Sequence, residues 1–104
     1  MKLFALLVIL FFSSLTSASQ PVGDSKMGSL KIPSCKFCHG VDGKSTEPSY
    51  PNLNGQKQDY LYMSMQSYLL GQRNGDLADM MKDQLSKLKP QDIADIAAYY
   101  SQLE

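Results

Sequence analysis

Cys35, Lys36, Phe37, Cys38 and His39 follow one another in a chain of 104 residues whose two cysteines and one histidine all lie in this stretch. On a tight helical turn, residues three apart share a face, so two thiols at this spacing point the same way. Both sulfurs can then reach the two vinyl groups of one porphyrin. The next residue carries an imidazole under the ring, where a nitrogen can ligate the iron. Gly40 follows, and a glycine lets the backbone leave without crowding a macrocycle. Cysteine, two residues, cysteine, histidine is the attachment pattern of a c-type haem. A redox disulfide of the thioredoxin type would need a βαβ setting, which the sequence does not offer. Zinc wants four ligands and usually a second, distant pair. A structural disulfide across three residues closes a tiny loop and stabilises little.

An iron held by one histidine has a second axial position, and without a second histidine the candidate is methionine, a ligand that raises the potential. Beyond residue 18 there are five: Met27, Met63, Met65, Met80 and Met81. Met27 would have to reach around the ring. Met63 and Met65 fall inside an apolar helical stripe, where methionine more often fills a core. Met80 and Met81 sit in a polar-flanked segment expected to be flexible, from which a loop can deliver either to the far side of the haem. The residues themselves leave that choice open.

The elements that must position these groups are helical. Gln58–Leu70 carries Leu61, Met65, Tyr68 and Leu69 at helical period, and Gly71 stops it. Pro90 opens a second clear helix, with Ile93, Ile96, Ala97, Tyr100 and Leu103 as its buried stripe. Met27, Leu30 and Lys31 are expected to share one face of a brief helix that Pro33 ends. Residues 41–56 are rich in turn residues (Asp42-Gly43, Pro48, Pro51, Asn54-Gly55) and read as loop. Leu77–Lys89 reads as a short helical turn plus loop. No strand pattern or repeat appears, so the expectation is a small all-α domain with long loops.

Lys2, the ten apolar residues Leu3 to Phe12 and a small-residue stretch ending at Ala18 read as a secretory signal peptide, residues 1–18. The apolar run is too short to span a bilayer, which takes roughly 20 residues. Cleavage after Ala18 leaves a domain over 19–104, with 9 basic and 10 acidic side chains. That balance lacks the cationic footprint of a nucleic-acid binder. Export implies an oxidising compartment, the periplasm, with no stable membrane insertion once the leader is removed. So small a chain is near the lower limit for a self-sufficient core, and a covalent haem would act as its staple.

With these residues in view, the chain resembles class I c-type cytochromes, close to the small bacterial c553 and c4 type, over about residues 35–103. The match rests on Cys35-X-X-Cys38-His39-Gly40-X-Asp42-Gly43-X-Ser45, Pro51-Asn52-Leu53-X-Gly55-Gln56, Tyr60-Leu61, Gly71-Gln72-Arg73, Met80-Met81 and Gln91 to Tyr100. The resemblance implies the small cytochrome c fold, helices and long loops wrapped around one covalently bound haem c. It implies thioethers at Cys35 and Cys38, and His39 as one iron ligand. The methionine eleven residues before Asp92 is Met81, which it selects over Met80 as the other ligand. It also implies that the Pro51 carbonyl accepts a hydrogen bond from the His39 ring and so orients it.

Such a protein is an electron carrier rather than an enzyme, a monomer or weak dimer serving an oxidase, reductase or dehydrogenase. A haem-based ligand sensor or a subunit of a larger redox complex are the alternatives. Leu53, Leu61, Met65, Ile93, Ala97 and Tyr100 are the expected apolar shell, and Lys36, Lys44, Lys82, Lys87 and Lys89 the candidates for steering an acidic partner. Three departures from relatives stand out, one of them a compact segment between Gly71 and Met81 that is expected to leave one side of the haem more open. Pro33 is expected to shorten or displace the crossing of the first and last helices. Lys89 stands where a serine usually caps the last helix.

Overall fold

The computed structural model describes residues 13–14 and 19–104. The expected leader therefore lies outside the described residues, Ser13 and Ser14 apart. Five helices follow in order: α1 (Ser25–Leu30), α2 (Cys35–His39), α3 (Gln58–Leu69), α4 (Asp76–Leu85) and α5 (Pro90–Ser101). No strand occurs among the described residues. None of their helices is long and apolar enough to cross a membrane.

The last helix is the centre of the fold. Ile93 to Ala98 and Tyr100 are all buried, a far wider buried face than a surface helix shows, because α1 and α3 both pack on it. Ile32, Leu61, Ile96, Ala97 and Tyr100 form the core cluster, with Leu53, Met65 and Leu103 against it. The missing serine cap is made good from within the helix. The Asp92 carboxylate accepts from the Lys89 N–H at 2.9 Å, and Pro90 at the first turn has no N–H to satisfy.

The brief helix before Pro33 exists, but it buries a different face from the one expected. Met27 is 45% and Leu30 72% exposed, whereas Gly28 is buried. A Cβ on Gly28 would overlap the Asp95 carbonyl oxygen and come within 2.9 Å of the Tyr99 Cβ. Gly23 meets Ala94 in the same way. Backbone approach, with no apolar stripe, holds α1 on α5, so the crossing is short but intimate. Asp24 starts α1 by accepting from the Lys26 and Met27 N–H groups.

An ion-pair network closes the same interface. Lys31 bridges Asp92 at 2.7 Å and Asp95 at 2.6 Å. Asp95, 2% exposed, also accepts from the Asp24 N–H and from Gln91 Nε2, both at 2.9 Å. Burial pushes the Asp95 carboxyl up, but Lys31 and these donors outweigh it and hold the group below the usual range.

The segment expected to be mostly loop is a ten-residue helix, α4. Its apolar residues Ala78, Met81 and Leu85 recur at intervals of three and four, and Leu88 continues the row past its end. Asp76 and Asp79 lie in its first turn and Lys82 in its last, each favourable to the helix dipole. The expected helix at 58–70 is α3. It ends as a Schellman motif, with Gln72 N–H donating to Ser67 O, Gly71 N–H donating to Tyr68 O and Gly71 at φ +70°.

Candidate functional site

A cavity of about 620 Å³ opens between α2, the 49–56 loop, α3, α4 and α5, within the size range of small-molecule and cofactor sites. Pro33 and Ser34 turn the chain ahead of α2, whose single helical turn carries all three reactive groups. Cys35, Cys38 and His39 line the cavity together. Both cysteines are half-buried, and they are not joined to each other. Burial pushes the Cys35 thiol up, so it stays neutral. Among the described residues, no group of three or more histidine, cysteine, aspartate and glutamate side chains is placed to hold a metal ion by itself.

His39 is 5% exposed, and its Nδ1 stands 2.8 Å from the Pro51 carbonyl oxygen. A carbonyl can only accept, so Nδ1 carries the hydrogen, and it is Nε2 whose lone pair the neutral ring offers as a ligand. The backbone leaving His39 is pinned from α5. Tyr100 Oη donates to Gly40 O at 3.2 Å and Tyr99 Oη to Val41 O at 2.9 Å. The two tyrosine rings meet edge to face at 5.1 Å. Burial drives the Tyr100 hydroxyl well above its ordinary range, which keeps it a donor. Sequence reading placed Tyr100 in the core and missed this role; two adjacent tyrosines, one inside an otherwise aliphatic stripe, were the available signal.

The methionines separate by position. Met27 lies on α1, none of whose residues lines the cavity, and Met63 is 63% exposed and points elsewhere. Met65, Met80 and Met81 all line it. Met81 belongs to the inward row of α4 and is half-buried, whereas Met80 is 49% exposed. Both are presented by a helix, so the flexible loop expected to deliver them is not what positions them. Of the expected shell, Leu53, Leu61, Met65, Ala97 and Tyr100 line the cavity. Ile93, 1% exposed, is buried away from it, and Ile96 holds the corresponding place in the wall.

Apolar walls, two thiols on one helical face and a free imidazole nitrogen fit a covalently attached haem. The relatives agree. The cytochrome c family model matches residues 31–104, and the chain belongs to this family of haem c electron-transfer proteins. It is 49% identical over 82 residues to cytochrome c-554(548) of Halomonas halodenitrificans, covering 79% of this chain and 99% of that one. It is also 35% identical over 102 residues to cytochrome c4 of Stutzerimonas stutzeri, but covers 49% of it. Among solved structures, reduced cytochrome c4 from Pseudomonas stutzeri superposes with a TM-score of 0.72 at 36% identity, over 80% of this chain and 47% of that one. The chain thus spans nearly the whole of the c-554(548) relative and about half of the c4 relatives.

Proposed function

We propose that this chain is an exported monohaem cytochrome that carries one electron at a time between redox proteins. The observation that supports it best is the single cavity into which α2 brings Cys35, Cys38 and His39 and α4 brings Met81. When bound there, haem c supplies a one-electron iron couple. Cys35 and Cys38 tether it through thioethers. His39 would ligate the iron through Nε2, its ring held by Pro51, and Met81, with Met80 the alternative, would supply the second protein ligand. Leu61, Met65, Ile96 and Ala97 exclude water, which keeps reorganisation small and favours the less charged state of the centre. Tyr99 and Tyr100 hold the backbone beside His39 still while the charge changes.

Residues 1–18 direct export to the periplasm and are removed, leaving 19–104 as the mature domain. Partners meet a small transient surface near Phe37, which is 91% exposed. Lys36, Lys44, Lys82, Lys87 and Lys89, all exposed, steer an acidic one, so exchange rates should fall with added salt; no salt effect would remove the steering.

The deciding experiment is a peroxidase-type haem stain after denaturing electrophoresis, on protein made in a host with haem-attachment machinery. The wild type should stain, and C35A/C38A should not. A colourless wild type with both thiols free would end this reading. A ligand-sensing haem protein would instead bind carbon monoxide readily when reduced, whereas Met81 in the same cavity should keep binding slow.

A further inference from the structure

In the loop after α2, the segment from Gly43 to Ser45 is tied to the segment from Asn52 to Asn54. Leu53 N–H donates to Gly43 O at 2.7 Å, and Asn54 N–H shares that acceptor at 3.2 Å. Ser45 N–H donates to Asn52 Oδ1 at 2.7 Å. The Pro51 carbonyl that accepts from His39 Nδ1 belongs to the rigid peptide plane joining Pro51 to Asn52. Its direction is therefore set by what holds Asn52 and Leu53. Both are held against residues that leave His39 directly, through a turn in which Gly43 N–H donates to Gly40 O at 3.3 Å. Chain and hydrogen bonds so make a closed circuit, from His39 to Gly43, across to Leu53, and back through Pro51 to the imidazole.

Gly43 is what lets the circuit close. It is buried, with φ +74°. A Cβ there would stand 2.6 Å from Asn54 N and 3.0 Å from Asn54 Cα. Both obstacles are backbone, so any larger residue drives 52–54 outward and takes the Pro51 peptide with it. Asn52 is exposed; water can replace its bond to Ser45, but water does not tie the two segments together. Tyr100 frames the loop at both ends, through Oη to Gly40 O and through its own carbonyl, which accepts from Gly55 N–H at 3.1 Å. Neither bond touches the Pro51 peptide itself.

Building on the haem reading above, we propose that Gly43 and Asn52 are positioning residues for the histidine ligand, a clamp that aims the Pro51 carbonyl at His39 Nδ1. The clamp fixes the rotation of the imidazole and the strength of the bond that its N–H donates. A firmly held acceptor at Nδ1 makes Nε2 a stronger electron donor. Stronger donation favours the oxidised centre, which carries one positive charge more, so loosening the clamp favours the reduced one.

The test is proton NMR and spectroelectrochemistry on haem-loaded wild type, N52A, N52D and G43A, alongside their thermal melts. In the wild type the His39 Nδ1–H proton should exchange slowly with solvent. N52A should speed that exchange about fivefold, as the loss of one hydrogen bond implies. It should also shift the reduced-to-oxidised ratio at a given potential about threefold toward reduced, about 28 mV for a one-electron couple. N52D keeps an acceptor for Ser45 N–H and should restore the slow exchange, and G43A should exceed N52A in both readings. If N52A and G43A melt earlier but keep the wild-type exchange rate and potential, the loop is scaffold only and the clamp is refuted. Where G43A holds no haem, N52A decides by the same two readings, because it removes one exposed bond and adds no bulk. A wild type that holds no covalent haem refutes the haem reading itself, a different result from a haem-loaded N52A with unchanged exchange and potential.

Discussion

Replacing Gly28 by alanine sets two opposite effects against each other, and the sign of the outcome tests how α1 is held. In an isolated helix the change would help, because alanine is favoured over glycine by about 1 kcal/mol. In this structure the new Cβ would sit 2.6 Å from the Asp95 carbonyl carbon and 2.9 Å from the Tyr99 Cβ. Comfortable carbon–carbon contacts are about 3.5–4.0 Å, so α1 must withdraw from α5 by roughly 1 Å. The obstacle is backbone, which cannot swing aside as a side chain would. The loss therefore belongs near the top of the range of about 1–3 kcal/mol for overpacking. Subtracting the helix preference leaves a net destabilisation of about 2 kcal/mol. For a domain this small that lowers the melting temperature by roughly 8–16 °C. The assay is circular dichroism melting of haem-loaded G28A beside wild type, with the potential measured in parallel. The potential should not move, since no residue of α1 lines the cavity. An unchanged or raised melting temperature would show that α1 does not rest on α5 through its backbone, and the argument fails.

Two further perturbations separate ligation from scaffold. M81A should abolish the weak long-wavelength band of methionine-ligated ferric haem and open the reduced iron to carbon monoxide, while M80A keeps the band. The reverse pattern would assign the ligand to Met80. The Lys31 network predicts stability against pH at both ends. Asp92 and Asp95 are held below the ordinary carboxylate range, the first chiefly by Lys31, the second, against the cost of burial, by Lys31, the Asp24 N–H and the Gln91 side chain. Their contribution is complete above the unfolded value of about 3.9 and is lost as pH falls through the lowered folded values. Lys31 is raised by its bonds to Asp92 and Asp95. Its share is therefore complete below about 10.4 and is lost as pH rises through the raised folded value. D95N should cost about 1–3 kcal/mol at neutral pH by leaving a buried group mispaired, and should flatten the acid limb in denaturant titrations. An acid limb unchanged in D95N would remove Asp95 from that role.

Three things about this protein were legible without coordinates, because each is a property of neighbours along the chain. The haem-binding pattern is complete within five consecutive residues. The long helices α3 and α5 show their period locally, and Gly71 and Pro90 mark an end and a start through backbone chemistry that needs no partner. The turn residues of 41–56 likewise announce a loop. Tertiary structure decided the rest. Met80 and Met81 looked loop-borne because the polar residues around them mask a row of only three apolar side chains, and that row becomes a helix once it has α3 to pack on. Gly28 and Gly23 carry no side chain from which a contact can be read, so their close approach to α5 appears only when two segments about seventy residues apart are brought together. Nothing adjacent to Asp95 in the chain marks it as buried; Lys31, the Asp24 N–H and Gln91 converge on it only once the chain is folded. Sequence can specify what is covalently adjacent or periodic, whereas burial, close approach and charge pairing depend on distances that folding alone creates.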